Sequence, residues 1–283
     1  MELHCPACGL PIETALTLSR NGNAITVSRD LFQRMDGPPP EPVTAGAALK
    51  RVIDEDRLAG RPQRVFAHVF PFSTHHYLLR DWLLSSGIDP DRDVKLVVVP
   101  PPLTLKALRD GRIDGYCVGA PWGYAAEYEG IGRRLLATHT IRPGCAEKVL
   151  GVTRQWAESH AEPHLALVAA LIEAGRWLEQ SGNRSAAGQM LVEARLISAP
   201  EQCVRDALRD DRDDLLSPQF VFGAGEMLSP HHDDARWFLE QMRRCGQTRE
   251  RIDVEDAVIA SYRLGTHSEA NEMATSVTVP LMQ

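Results

Sequence analysis

The sequence VFAHVF-PFSTHH-YLLRDWLL, residues 65–84, decides the fold. Its apolar start predicts a short strand over residues 65–70. Ser73 or Thr74 then begins a helix whose apolar residues recur three and four positions apart. Such a helix start places hydroxyls, an imidazole and unpaired backbone N–H groups where the helix dipole is positive, an arrangement that suits a small anion. An ordinary capped helix without a ligand has the same pattern, so both interpretations stand.

Strands and helices alternate around this stretch. Strands are predicted at residues 15–19, 24–28, 65–70, 95–99, 113–118, 135–137 and 148–153, and helices at 74–85, 103–109 and 122–129. The alternation over residues 65–137 predicts an α/β fold with a doubly wound parallel sheet, whose ligands bind at the carboxyl ends of the strands. The turns at residues 73–75, 100–102 and 119–122 fall at such ends, so we expect them to form one pocket.

Helices dominate after Thr153. They are predicted at residues 163–180, 185–193, 200–209, 229–245 and 254–262. The last of these regions to begin with a clear signal does so at Ser229-Pro230, interpreted as N-cap and first helical residue, with acids in the following turn. From residue 268 the sequence is polar, which predicts a frayed tail.

The bulk composition excludes several classes of protein. The 283 residues carry a formal net charge of -7, so no basic footprint indicates nucleic acid or an anionic membrane surface. The longest apolar run, residues 165–172, is too short to span a bilayer. Six scattered cysteines fit a reducing compartment. The first residues, MELHC, have neither the basic nor the apolar segment of a signal peptide, which predicts a cytoplasmic location.

Metal and catalytic motifs are weak. Cys5-Pro6-Ala7-Cys8 is half of a zinc ribbon, and no second half follows, so two free thiols are the simpler interpretation. His231-His232-Asp233-Asp234 is better explained as a helix start than as a metal site. No nucleophile–base pair, paired-carboxylate motif or phosphate loop stands out, which predicts a protein that is not an enzyme and needs no cofactor.

Several longer motifs resemble one family. They are LSRNGNAITVS (18–28), FPFSTH (70–75), GIDPD (87–91), VPPP (99–102), DGYCVGAPW (114–122), EKVLG (147–151) and WFLEQMRR (237–244). Together they resemble the nitrate/bicarbonate-binding family of type II periplasmic-binding-protein-like folds, over residues 10–265. Within it, FPFSTH and Ala120-Pro121-Trp122 are most similar to cytoplasmic nitrate/nitrite sensors, which partner an RNA-binding antiterminator regulator.

This resemblance implies roles for individual residues. Asn23 would offer an amide and His75 an imidazole to the anion, Pro101 and Gly119 would form pocket wall, and Lys148 would neutralise the charge. An oxyanion that leaves water needs both donors and a cation, or its burial costs several kcal/mol. The candidate ligand-binding residues are Asn21, Asn23, Ser73, Thr74, His75, Pro101, Gly119, Trp122 and Lys148. His76 is expected to face solvent, and Trp122 serves either as packing or as pocket wall.

The resemblance also implies a domain organisation and a function. Residues 1–19 would be a remnant of the first lobe and crossover, 20–150 a complete second lobe, 151–267 a crossover back with C-terminal helices, and 268–283 a disordered tail. The first lobe would be largely missing. We expect a sensor that binds nitrate or nitrite in an interlobe cleft and acts on the antiterminator. The alternative is a substrate-binding protein of a nitrate, bicarbonate or sulfonate ABC transporter, with a permease as partner.

Overall fold

The computed structural model describes residues 11–180, 182–209, 213–223, 225–248 and 253–276. The Cys5–Cys8 motif lies outside them. The strands are β1 (Ile12–Arg20), β2 (Asn23–Ser28), β3 (Arg64–His68), β4 (Val94–Val98), β5 (Gly115–Gly119), β6 (Gly132–Ala137) and β7 (Ala146–Thr153). No helix within these ranges is long and apolar enough to cross a membrane.

The helices follow the predicted alternation. They are α1 (Arg29–Arg34), α2 (Pro42–Leu58), α3 (Thr74–Ser85), α4 (Pro101–Arg109), α5 (Trp122–Tyr128), α6 (Arg154–Ser159), α7 (Ala161–Glu179), α8 (Asn183–Glu193), α9 (Glu201–Leu208), α10 (His232–Arg244), α11 (Val254–Ser261) and α12 (Leu264–Ser276). Thr138–Thr140 and Gly225–Leu228 are short 3₁₀ segments.

The chain divides into two compact units. The first, which we call the five-stranded unit, consists of Asn21–Gly144 and Arg184–Phe220. The second, the two-stranded unit, contains the described residues of Met1–Arg20, Cys145–Asn183 and Val221–Gln283.

The sheet of the five-stranded unit has the order β4-β3-β5-β2-β6. β3 is parallel to β4 and β5, whereas β2 is antiparallel to both β5 and β6. The sheet is therefore mixed, and the prediction of a wholly parallel sheet is wrong for β2. The reason is the direction of entry: the chain enters at the carboxyl edge, at Asn23, so β2 runs against its neighbours.

One apolar core joins this sheet to its helices. Leu49 and Val52 of α2, Phe66 of β3 and Trp82 of α3 are all fully buried. The Trp82 ring N–H donates to the Pro42 carbonyl at 3.0 Å, which satisfies its polar atom. Burial of each large side chain contributes about 1.5–3 kcal/mol, so this layer holds α2 and α3 against the sheet.

A carboxylate joins several arginines at the amino edge of the sheet. Asp56 is 3% exposed and accepts from Arg34, Arg61 and Arg64, each with a closest contact of 2.7 Å. Arg64 also pairs with Asp114 at 2.6 Å. Burial opposes ionisation of Asp56, but these three hydrogen-bonded guanidiniums outweigh it and hold the pKa of the carboxyl far below its usual range.

The two-stranded unit pairs β1 with β7 in antiparallel fashion. Ala15 and Leu16 of β1 pack with Val168 of α7 and with Ala270 and Ala274 of α12. Residues 268–276 are therefore helical, and the expected frayed tail is wrong for this range. Alanines four apart on one helix face have found apolar partners that the local sequence does not indicate.

The start of α10 differs from its prediction by three residues. The helix begins at His232 with His231 as N-cap, so Ser229 and Pro230 precede it. Asp233 and Asp234 occupy the first turn as expected. Asp234 is buried and pairs with Arg20 at 2.8 Å, which explains why an acid is directed inward at this helix end.

Candidate functional site

The predicted turns meet at one edge of the five-stranded unit. β3, β4 and β5 are parallel, and β6, like β5, is antiparallel to β2. Consequently the ends of these four strands and the start of β2 lie at the same edge, which we call the carboxyl rim. The prediction that the three turns share one edge is confirmed.

The centre of the rim is a bare glycine between two polar side chains. Gly119 ends β5 and pairs with Asn23, the first residue of β2. A Cβ atom placed on Gly119 would lie 3.3 Å from Asn23 Oδ1 and 4.0 Å from His75 Nε2. Asn23 is 2% and His75 6% exposed. The three residues therefore enclose a small space where an amide and an imidazole converge on backbone.

Ser73 shapes the start of α3. Its Oγ accepts from the His76 backbone N–H at 3.2 Å and donates to the Phe70 carbonyl at 2.6 Å. The hydroxyl is thus the N-cap, and the following Thr74 and His75 are buried in the first turn. Capping turns His75 inward at the positive end of the helix dipole, a position that favours negative charge.

Ser73 offers a test of this capping role. Ser73→Ala is expected to lower the free energy of unfolding by about 1 kcal/mol, whereas Ser73→Gly should cost only a few tenths of a kcal/mol. Urea denaturation of both variants measures the difference. An unchanged stability of Ser73→Ala would contradict the capping role.

His76 does not face solvent, so that expectation is wrong. It is 8% exposed, and its Nδ1 lies 3.1 Å from Nε2 of His68, the last residue of β3. Burial, followed by His68 and Arg80, lowers the pKa of His76 to about 4, and burial also lowers the pKa of His68. Both rings are neutral at pH 7, so one donates to the other. The physical reason is that β3 supplies a polar partner that local sequence does not reveal.

Asn21 is engaged with backbone. Its Nδ2 donates to the Gln219 carbonyl at 3.0 Å, and its Oδ1 accepts from the Gly144 N–H at 2.9 Å. Asn21 and Gly22 both have positive φ, 61° and 94°, which produces the tight turn into β2. This side chain therefore connects three segments next to Asn23.

Pro101 and Trp122 follow strand ends at the same rim. Pro101 is the first residue of α4, where a missing N–H is tolerated. Trp122 begins α5, is 9% exposed and packs with Tyr116, whose hydroxyl donates to the Trp122 carbonyl at 2.9 Å. These contacts make Trp122 part of the core beneath the rim.

Lys148 belongs to the two-stranded unit. It lies on β7 opposite Ser19 of β1, is exposed, and its ammonium group pairs with the Glu147 carboxylate. The structure therefore brings together the candidates of the five-stranded unit, and Lys148 is described apart from them. Its role stays a prediction.

Two residues at the rim were not predicted. The Thr138 hydroxyl donates to the Asn23 carbonyl at 3.2 Å and so helps to position that residue. His139 is half-buried, and neither of its ring nitrogens has a hydrogen-bond partner within the described part of the chain. Burial lowers its pKa, with a smaller opposing effect from Asp214. The sequence THT after an apolar strand, like STH after β3, is the signal that could have found them.

Known proteins similar to this chain bind or import small oxyanions. The model of the NMT1-like family matches residues 7–192. The bicarbonate transport ATP-binding protein CmpC of Synechococcus elongatus is 34% identical over 264 residues, 92% of this chain and 38% of that protein. The bicarbonate-binding protein CmpA of the same organism is 27% identical over 96% of this chain and 62% of its own length. The chain thus spans less than two thirds of both curated relatives.

Solved structures show the same architecture. The periplasmic nitrate-binding protein NrtA from Synechocystis PCC 6803 superposes with a TM-score of 0.83 at 22% identity, covering 96% of this chain and 69% of that one. The alkanesulfonate-binding protein SsuA from Xanthomonas axonopodis gives 0.61 at 16% identity. The periplasmic-binding-protein-like α/β fold is thereby confirmed. Within the described ranges, no group of three or more histidine, cysteine or acidic side chains is arranged to hold a metal ion.

Proposed function

The chain belongs to the NMT1-like family, and from this premise we propose that it binds a small oxyanion of the nitrate or bicarbonate class as the solute-binding part of an ABC import system. The observation that carries the proposal is the convergence of Asn23 Oδ1 and His75 Nε2 on the bare backbone of Gly119. The site is assigned to the carboxyl rim, where sheets of this kind bind ligands. No catalytic step is proposed.

The chemistry of these groups suits planar, singly charged oxyanions. The Asn23 amide offers N–H donors in one orientation and an acceptor oxygen in the other. Nitrate would take the donors, while the hydroxyl of bicarbonate could donate to the oxygen. The neutral His75 ring has one donor and one acceptor nitrogen. The absence of a side chain at Gly119 leaves the ligand room to approach the strand.

The relatives support an import role better than a sensor role. Their names describe ATP-binding and solute-binding components of bicarbonate or nitrate import. The present sequence contains no Gly-Lys dipeptide and hence no phosphate-binding loop of the G-x-x-x-x-G-K-[ST] type. We therefore assign the oxyanion to this chain, and an ATPase and permease as its partners. The predicted antiterminator and cytoplasmic location receive no support from the relatives and stay predictions.

Calorimetry tests the proposal directly. Nitrate, nitrite, bicarbonate and a short alkanesulfonate are titrated separately into the wild-type chain and a His75→Ala variant. We expect one of them to bind the wild type with a Kd of about 1 μM, near -8 kcal/mol. Loss of the imidazole contact should weaken that binding roughly tenfold or more, because hydrogen bonds to charged groups contribute about 1.5–3 kcal/mol. Absence of binding for all four anions at millimolar concentration would overturn the proposal.

The predicted role of Lys148 has its own test. A bound anion at 100 times its Kd stabilises the folded state by about 2.7 kcal/mol, which raises Tm by several degrees. Lys148→Ala is expected to abolish this rise, since a buried anion needs a compensating cation. Lys95→Ala, an exposed lysine on β4, is the matched control. An undiminished rise in Lys148→Ala would assign the cation elsewhere.

A further inference from the structure

The outer face of α2 carries an unusually exposed stripe. Leu58, at the end of the helix, is 90% exposed, and Val43, near its start, is 84% exposed. Ala47 lies between them on the same face, because positions 43, 47 and 58 fall within about 60° of one another at 100° per residue. Beside the stripe is an open groove of about 650 Å³, which Ser85 and Ser86 of α3 flank.

The charges of this stripe are ordered along the helix. Lys50 and Arg51 come first, and Asp54 and Glu55 follow one turn later. Lys50 Nζ lies 2.7 Å from Asp54 Oδ2, and Arg51 Nη1 lies 3.0 Å from Glu55 Oε1. All four side chains are between 41% and 49% exposed, so they are accessible to a partner as well as to each other. Arg51 also reaches Asp36 at 2.7 Å.

This order is complementary to itself when reversed. In an antiparallel arrangement centred between Val52 and Ile53, Arg51 meets Glu55 of the partner subunit and Lys50 meets the partner's Asp54. Ala47 then meets the partner's Leu58. The helical angles agree with this register: Lys50 and Asp54 lie on one flank of the stripe, Arg51 and Glu55 on the other, and Ala47 and Leu58 on the line between them. The small side chain of Ala47 leaves room for the leucine beside the groove.

We propose that α2 is a homodimer interface in which two copies of the chain pack this face antiparallel about a two-fold axis. Such an interface is closed, because each residue that contacts the partner is contacted in the same way in return. Two leucines leave water, and two sets of opposite charges come together. The interface uses none of the residues of the carboxyl rim, so it is independent of the proposed oxyanion site.

Charge reversal provides the decisive test. One variant carries Lys50→Glu and Arg51→Glu, and a second carries Asp54→Lys and Glu55→Lys. In sedimentation velocity the wild type is expected to associate as a dimer. Each variant alone should be monomeric, since like charges then face each other across the axis. An equimolar mixture should form a heterodimer, because the acidic stripe meets the basic one. Circular dichroism checks that both variants are folded.

Removal of the apolar contact is a second measurement. Leu58→Glu should weaken dimerisation roughly tenfold or more, because a carboxylate would be buried against Ala47. Met190→Glu, at a residue of α8 that is 59% exposed, is the matched control and should leave association unchanged. A wild type that stays monomeric at its highest soluble concentration would overturn the proposal. A dimer that survives both charge reversals, or folded charge variants that fail to associate when mixed, would also overturn it.

Discussion

A Gly119→Val variant is expected to lose oxyanion binding while it keeps its fold. The added Cβ would lie 3.3 Å from Asn23 Oδ1 and 4.0 Å from His75 Nε2, and the two methyl groups of valine would occupy the remaining space. Gly119 is the last residue of a strand and has an unstrained backbone, so a β-branched residue is tolerated there. Loss of one hydrogen bond to the charged ligand alone costs about 1.5–3 kcal/mol, and exclusion of the ligand costs more.

The controls separate blocking of the site from unfolding. Gly119→Ala should give a smaller loss of affinity than Gly119→Val, since a single methyl leaves part of the space open. Gly265→Ala, where no atom outside the local helix backbone lies within 4 Å of the added Cβ, should bind as the wild type does. Calorimetry measures affinity, and thermal unfolding checks the fold. Wild-type affinity in Gly119→Val would exclude the rim around Gly119 as the binding site.

Asp56→Asn is expected to cause the largest loss of stability. The carboxylate accepts from Arg34, Arg61 and Arg64 and is almost fully buried, so its neutralisation leaves three guanidiniums close together without their shared counter-charge. Removal of one partner from a buried ion-pair group costs about 3–5 kcal/mol. Urea denaturation at pH 7 measures the change. Asp91→Asn, which breaks an ion pair of a carboxylate that is 67% exposed, should cost less than about 1 kcal/mol.

The loss in Asp56→Asn should depend on pH in a defined direction. Three arginines hold the folded-state pKa of Asp56 below its value in the unfolded chain. The stabilisation is therefore complete above the unfolded pKa of about 4 and disappears as pH falls from there through the folded pKa. The stability difference between wild type and variant should stay constant from pH 7 to about 5 and shrink below about 4. A constant difference at lower pH would show that the carboxylate's charge is not the cause.

Local signals in the sequence predicted much of the five-stranded unit. The helix Thr74–Ser85 has its predicted bounds, because the Ser73 cap and the apolar period both lie within the segment. The ends of β3 and β4 were predicted within two residues for the same reason. The grouping of the turns at one rim was also predictable, since parallel strands with helical crossovers place their carboxyl ends together.

Features that depend on distant residues were not predictable. The direction of β2 is set by where the chain enters the sheet, at a turn whose residues bond to a loop almost 200 positions later. His76 is buried because His68, on another element, meets its ring. Residues 268–276 are helical because Ala270 and Ala274 contact β1 and α7. In each case the deciding contact lies outside the window that periodicity examines.

The turn before β2 has a consequence for ligand affinity. Asn21 is bonded to two other segments, the Gly22 N–H donates to the Pro218 carbonyl at 3.0 Å, and the Asn23 carbonyl accepts from Thr138. The main chain at Asn23 is thus immobilised before any ligand arrives. The conformational entropy of this segment is lost on folding rather than on association, so little of the intrinsic binding energy is spent on ordering it.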